Sequence, residues 1–476
     1  MNTKRNRQYL GLNALGLALA LSGGCQLEER LAWSPDGSVA AVRTGADLRL
    51  ATPDGVLSEP IATDVAAMAW LPDGSGLALH RTVTVLSWSD VVSLVPRSET
   101  RLIEILARGL PELIEAGLEL TGGDLEALTT QYLKPMGLLE LPLAESLLYL
   151  HDNQPEDWQR LLEWAHAPDD AADAPAERDD QPRVVVHEIA ILPITAKGAA
   201  GEPTVIERTL QRLAQPKPSP VAPVVAYLRN DELILAPLHG TATTYTPVAE
   251  RVSGSFAWSA DGRSLAFARR HSEKWESSGL NVASIERRTV LDENGAVQLK
   301  DRELLAVSLF AFLPRVRCLP DGRILFAGHQ GNLPATPADA REARFYLVGP
   351  DGIAPVPTPP GALPTDLSSF TLAPDGRRLA VAEAGSDALA VVDLASGTVE
   401  LIAPARGARS RTLPAWRANG DLYYAALADA DTPQPVWMRR SAADGTHEAF
   451  SATWPADLNR ALLHLRSLSA PKGQRN

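Results

Sequence analysis

The 476-residue chain holds only two cysteines, Cys25 and Cys318. So few thiols exclude a disulfide framework and a paired-cysteine metal site, and packing must hold the fold together. Positive charge is also short. Against 58 Asp and Glu stand 45 Lys and Arg, a formal net charge of −13, a balance that repels phosphate backbones and excludes generic nucleic-acid binding. Catalytic signatures are missing: the chain has no GxSxG nucleophile elbow, no HExxH and no phosphate-binding glycine loop. Its one conspicuous apolar run, "YLGLNALGLALALSGGC" from Tyr9 to Cys25, is too short to span a bilayer comfortably.

That run follows Lys4, Arg5 and Arg7, and the order of cations, apolar stretch and small residues reads as a secretion signal over residues 1–24. Its end, "LSGGC", resembles the lipobox of bacterial lipoproteins, with Cys25 as the lipidated residue. It departs from that pattern in placing Ser22 three positions before the cysteine, with Leu21 one place further back. An ordinary cleaved signal ahead of an unrelated cysteine is the alternative. The resemblance implies an N-terminal lipid anchor in the membrane and a periplasmic protein. With Gln26 after the cysteine in place of aspartate, it also implies outer-membrane sorting. Loss of the signal leaves 42 Lys and Arg against 58 acids, a net charge of −16.

What the chain does have is turns and a repeat. Apolar content of 45% with 22% charged residues is that of a folded soluble protein, and 37 prolines and 34 glycines point to many short strands. "LAWSPDGSVAAV" (Leu31 to Val42) recurs as "MAWLPDGSGLAL" (Met68 to Leu79), "FAWSADGRSLAF" (Phe256 to Phe267), "VRCLPDGRILFA" (Val316 to Ala327), "FTLAPDGRRLAV" (Phe370 to Val381) and "PAWRANGDLYYA" (Pro414 to Ala425). The glycines at 37, 74, 262, 322, 376 and 420 lie 37, 188, 60, 54 and 44 apart. Apart from the one wide gap, this is close to the period of a four-stranded propeller blade. In the full signature the proline fixes φ, the aspartate accepts local backbone hydrogen bonds and the glycine supplies a positive φ, so the unit is a hairpin; Ala260 for Pro and Ala418-Asn419 for Pro-Asp are departures that keep the glycine. The strand after each turn is apolar on both faces, which suits a sheet sandwiched between two others.

Trp33, Trp70, Trp258 and Trp416 hold one equivalent position, which Cys318 and Leu372 fill in the remaining copies. An aromatic binding cluster is one reading; replacement by Cys and Leu favours a packing site between blades. The signature is similar to that of the TolB-type propeller family over roughly residues 27 to 452 outside one insertion. The resemblance implies architecture, since such propellers serve as scaffolds, sensors and catalytic domains.

Further hairpins, "LRLATPDGVLSEPIA", "RFYLVGPDGIAPVPT", "LAVVDLASGTVELIA" and "WMRRSAADGTHEAFS", supply outer strands. Val224 to Val248 reads as one more blade whose signature has decayed to an Asn-Asp turn. The fold expected is therefore a mainly β, seven-bladed propeller of four-stranded blades, with six or eight as alternatives. Blade 1 and the start of blade 2 occupy residues 25–95, the rest of the ring 183–455, and a short C-terminal tail 456–476. A hydrolase domain of the prolyl-oligopeptidase kind is not expected after so short a tail.

Residues 96–182 read as an α-helical insertion in the second blade. A cap at Ser98 opens "SETRLIEILARGLPELIEAG", and Leu125, Leu128, Tyr132 and Leu133 form one stripe, Trp158, Leu161, Leu162 and Ala165 another. The acidic, Pro- and Ala-rich stretch 168–182 reads as a solvated tether, with a cation site as the alternative.

Propellers bind at the mouth of the central channel, along the loops joining second to third strands. Here those positions carry Arg43, His80, Arg81, Arg270, His271, His329, Gln330, Glu383 and Asp387. The three histidines recur near equivalent places, which raises a shared metal or proton-transfer site against plain loop polarity. No ligand spacing supports a metal, and no cofactor is expected. Two functions follow. The first is a non-catalytic, lipid-anchored scaffold for envelope proteins or a peptidoglycan-associated partner. The second is a periplasmic hydrolase or lyase with its site beneath the insertion, which requires His80, His271 and His329 to converge. The insertion itself reads as a lid, a partner surface or an assembly element.

Overall fold

The computed structural model describes residues 29–85, 88–97, 99, 184–195, 201–238, 245–275, 280–310, 315–328, 344–359, 361–363, 367, 369–382, 389–402, 413–427, 435–456 and 458–459. The expected signal, Cys25 and most of the expected insertion lie outside them. The described strands form seven antiparallel sheets. Blade 1 comprises β1 (Leu31–Trp33), β2 (Ala40–Thr44) and β3 (Asp47–Ala51). Blade 2 comprises β4 (Val65–Trp70), β5 (Gly76–Val85), β6 (Val184–Pro193) and β7 (Thr204–Thr209). Blade 3 comprises β8 (Leu213–Pro218), β9 (Val224–Arg229), β10 (Glu232–Pro237) and β11 (Thr246–Ala249). Blade 4 comprises β12 (Val252–Trp258), β13 (Ser264–Trp275), β14 (Leu280–Thr289) and β15 (Arg302–Phe310). Blade 5 comprises β16 (Val316–Cys318), β17 (Ile324–Gly328), β18 (Arg344–Gly349) and β19 (Gly352–Pro355). Blade 6 comprises β20 (Phe370–Leu372), β21 (Arg378–Ala382), β22 (Leu389–Asp393) and β23 (Val399–Ile402). Blade 7 comprises β24 (Ala415–Trp416), β25 (Leu422–Leu427), β26 (Pro435–Arg440) and β27 (His447–Ala449).

The expectation of four strands per blade is corrected in blade 1, where the outer edge is reduced to the bridges Ala51 to Leu57 and Leu48 to Ala62. The Pro-Asp-Gly turns fold as their chemistry dictates. Gly37 N donates to Ser34 O at 2.8 Å with φ of 70°, and Asp36 Oδ1 accepts from Ser34 Oγ, Ser38 N and Ser38 Oγ at 2.5, 3.0 and 2.8 Å. These bonds favour the carboxylate and hold Asp36 down at about 2.

The turn assigned to the decayed blade is a second correction. Asn230 and Asp231 join β9 to β10, the second and third strands, and Asn230 tolerates its positive φ of 54° as asparagine does. The counterpart of the Pro-Asp-Gly turn is Ser219-Pro220-Val221-Ala222, where Ser219 N donates to Val224 O at 2.8 Å. Without an aspartate, Ser219 Oγ accepts from Val221 N and Ala222 N instead, at 3.3 Å each.

Seven apolar clusters lie one between each pair of successive blades, the seventh between blades 7 and 1. This arrangement explains strands apolar on both sides: Ala41 packs toward blade 2 while Ala40 and Val42 pack toward blade 7. The tryptophan position is an inter-blade contact. Trp70 Nε1 donates to Ala32 O at 2.8 Å, Trp258 Nε1 to Lys217 O at 2.9 Å and Trp416 Nε1 to Thr371 O at 3.3 Å, each reaching the preceding blade. Cys318 Sγ makes the same reach to Ala257 O at 3.9 Å, and burial pushes its thiol up to about 12, as expected of an inert packing residue.

Among the described residues every blade is built from its own stretch of chain, and no sheet hydrogen bonds close the ring. Side chains do. Trp33 packs at a tilt against Tyr423, ring centres 4.9 Å apart, and Phe450, 6.1 Å apart, under the Arg417 guanidinium at 5.0 Å. Arg417 Nε donates to Gly37 O at 2.9 Å and Trp454 Nε1 to Gly55 O at 2.7 Å. Trp33 Nε1 itself has no acceptor. Beyond the last strand, buried Asn459 accepts from Ser451 Oγ at 2.7 Å, which fastens the start of the tail region to blade 7.

Two glycines test this seam. Gly45 has φ of 67° and open space where a Cβ would go, whereas at Gly55, with φ of 84°, that atom would lie 2.3 Å from Phe450 O. Gly45→Ala is expected to cost about 1–2 kcal/mol, the left-handed penalty alone. Gly55→Ala adds the displacement of Phe450 and should cost about twice as much in urea unfolding. Equal costs would mean that the seam yields freely.

Candidate functional site

Opposite the Pro-Asp-Gly turns lies the face where second strands end and third strands begin. Strands β2, β9, β17, β21 and β25 have 5 or 6 residues. By contrast β5 has 10 and β13 has 12, and each starts at the same offset from its tryptophan position. At about 3.3 Å per residue, the hairpins of blades 2 and 4 rise about 13 Å and 20 Å beyond β9, which stands between them. The blade 2 hairpin is paired through to Val85 opposite Val184, so residues 86–183 leave and re-enter from its tip. The first part of that excursion is α1 (Trp88–Leu94). Its Val91, followed by Val95, packs on Val85, Val186 and Leu210. The remaining helices expected there lie outside the described residues.

The expected site residues separate in this frame. Arg43 is buried on β2, its Nη1 3.5 Å from Val65 O. His80 is buried on β5, and its neighbour is His187 of β6, whose Nδ1 lies 3.0 Å from His80 Nε2 with the rings stacked. Arg81 Nη1 pairs with Glu188 at 3.3 Å. Arg270 and His271 are exposed on the blade 4 hairpin, His271 Nε2 3.2 Å from Ser284 Oγ. His80 and His271 thus stand on different blades, each with its own partner. His329, Gln330, Glu383 and Asp387 lie outside the described residues. Among the described residues, no group of three or more His, Cys, Asp or Glu is disposed to hold a metal ion.

Sequence reasoning missed His187 and a polar layer between blades 2 and 3. Glu207 of β7 accepts from Tyr227 Oη and pairs with Arg229 Nη2 at 2.6 Å, and the Arg229 guanidinium lies 4.3 Å from the Tyr245 ring centre. Burial pushes Glu207 up, against the pull of Tyr227 and Arg229. Beside it Glu188 is clamped between Arg81 and Arg208, the latter at 2.6 Å. Glu99 accepts from Thr209 Oγ1 at 2.7 Å and from Leu210 N at 2.8 Å, which ties the root of the insertion to the link between blades 2 and 3. On blade 4, Glu286 accepts from Ser284 Oγ at 2.6 Å and pairs with Arg302 at 3.5 Å. No local spacing announces these groups, because alternate strands bring them together. Each buried carboxylate already has several donors, an arrangement that fixes the geometry of the projecting hairpins.

A family model described as the lipoprotein LpqB β-propeller domain matches residues 344–468. Among solved structures, TolB from Acinetobacter baumannii is similar at 17% identity, covering 55% of this chain and 58% of that one, with a TM-score of 0.34. A putative TolB from Agrobacterium tumefaciens is similar at 15% identity over 52% of this chain and 84% of that one, TM-score 0.35. Dipeptidyl peptidase 4 from Porphyromonas gingivalis is similar at 10% identity over 90% of this chain and 54% of that one, TM-score 0.37. The chain thus spans less than two thirds of the length of the first of these structures. No curated protein matches it. With its repeated hairpin and seven sheets, the chain is a β-propeller, and its residues 344–468 match the LpqB propeller model.

Proposed function

We propose that this chain is a lipid-anchored protein of the bacterial envelope, periplasmic and sorted to the outer membrane, that acts as a non-catalytic scaffold. It binds an envelope or peptidoglycan-associated protein on the face bearing the raised hairpins of blades 2 and 4. The observation that carries this reading is the unequal strand length. Five second strands of 5 or 6 residues set the ordinary length, while those of blades 2 and 4, with 10 and 12, extend well past it on one face. One of them presents exposed Arg270 and His271, and the other carries the root of a long insertion. Surplus structure on one face of a rigid scaffold is where binding residues concentrate. Among the described residues no helix is long and apolar enough to cross a membrane, and attachment is assigned to Cys25.

The test is site-specific crosslinking in intact envelopes, with a photoreactive residue at His271 or, as control, at Asp375 in a turn on the opposite face. A discrete adduct from position 271 and none from 375 is expected. Equal adducts from both, or none from 271, sink the assignment of the binding face.

A further inference from the structure

The first strand of each blade forms one edge of its sheet, and those of successive blades approach one another at six of the seven junctions, which puts this edge innermost. In the position just before the tryptophan site they carry Ala32, Ala69, Lys217, Ala257, Arg317, Thr371 and Ala415. Five are small and two are cations. Lys217 Nζ donates to Phe256 O and lies 4.6 Å from the centre of that ring. Arg317 Nη1 donates to Val316 O at 3.1 Å and to Ser255 Oγ at 3.4 Å. Both keep partial solvent exposure, yet desolvation is the main cause lowering the pKa of each, with Lys217 brought down to about 7. Side chains enclosed by protein and still wet are those that line an internal channel.

One carboxylate acts on both cations. It is Glu29, two residues ahead of β1, whose Oε1 lies 3.7 Å from Arg317 Nη2 with its side chain 51% exposed. Blade 1 stands across the ring from blade 5, so this carboxylate reaches over the channel to Arg317. Lys217 and Arg317 reach adjoining residues of β12, Phe256 and Ser255, and Arg315 acts on Lys217 as a further cation, so one half-exposed carboxylate faces an excess of positive charge. Charge-assisted bonds from Arg and Lys are the usual recognition of carboxylate and phosphate groups.

We propose that Lys217 and Arg317 form an oxyanion-binding site in the inner channel, which Glu29 fills in this structure and which a small carboxylate or phosphate solute takes in its place. Glu29 is then a built-in competitor: it keeps the cations paired when the solute is scarce, and it belongs to the segment that runs on toward the N-terminus. The site is formed by first strands of blades 3 and 5 and does not rest on the reading of the outer face.

The experiment uses the full chain and sulfate, which keeps its charge across the working pH range, followed by calorimetry and thermal shift at low salt. Glu29→Gln is expected to bind sulfate at least tenfold more tightly than the unmodified protein. Its affinity should fall as pH rises, since sulfate favours the protonated Lys217 and that proton is held less firmly without Glu29, and Glu29→Gln with Arg317→Gln should lose the gain. Succinate and inorganic phosphate, titrated separately into Glu29→Gln, distinguish the two solute chemistries. Equal sulfate affinity with and without Glu29 overturns the proposal, whether or not the double variant folds. So does a folded double variant that binds like Glu29→Gln.

Discussion

Cutting Trp33 back to alanine is expected to lower the free energy of unfolding by about 3–5 kcal/mol, the range for emptying a buried aromatic site. Its location makes the loss informative. Trp33 is the largest side chain of blade 1 in the cluster with Tyr423, Phe450 and Trp454 of blade 7, and among the described residues no strand pairing backs it up there. The variant should therefore open at the seam before it unfolds elsewhere. Hydrogen exchange should rise in β1–β3 and β24–β27 while β8–β15 keep their protection. Trp258→Ala, which empties the equivalent site between blades 3 and 4, should cost a similar amount without that polarity. Uniform loss of protection in Trp33→Ala would show that the ring unfolds as one unit and that the seam is no weaker than its other joints.

Mild acid is expected to destabilise the protein through His80 and His187. Burial, the His187 ring, Arg212 and Arg43 hold His80 down at about 3, and burial with Arg212 lowers His187 as well. The folded state thus refuses a proton that the unfolded chain accepts near pH 6.5. The sign follows: stability is complete at neutral pH and declines as pH falls below about 6.5, continuing down to about 3 where the folded His80 itself titrates. At 1.36 kcal/mol per pH unit for one site, the loss by pH 4.5 is about 3 kcal/mol. The turn carboxylates act in a separate window, since Asp36 at about 2 and its depressed relatives Asp73, Asp261 and Asp321 give up stability only below the ordinary carboxylate range. Urea unfolding at pH 7 and pH 4.5 decides the matter. His80→Gln should flatten most of the difference; a variant as acid-sensitive as its parent would assign the loss to other groups.

The ring was legible because its repeat is local. Pro-Asp-Gly turns, apolar second strands and an aromatic anchor all fall within a dozen residues, and the turn bonds of Asp36 and the inter-blade bonds of Trp70 and Trp258 follow from that pattern. The third blade was legible as a blade but not in register. Val221 and Ala222 stand in its turn where Asp and Gly are expected, so the eye settles on Asn230-Asp231, one hairpin too far along. That slip hid Lys217, which can be set beside Ala32 and Ala257 only once the blade is aligned. Arg317 was open to view at a position otherwise held by small residues, a signal of charge facing the channel. His187, Glu207 and Glu99 had no such signal. They meet His80, Tyr227 and Thr209 across a gap of 98 residues between β5 and β6 or across a blade boundary, and only folded geometry sets those distances.

Closure by side chains also gives the ring the character of a docking event. Blade 7 recognises blade 1 as one protein recognises another, with an aromatic core, a capping arginine and a buried hydrogen bond from Trp454. The affinity of that contact is multiplied by a tether of five intervening blades, which holds the two surfaces at high effective concentration. The same two surfaces on different molecules are equally complementary. Opening of the seam would therefore expose to a second copy the same surfaces that close the ring, and exchange of terminal blades is favoured by high concentration and by any change that weakens the seam.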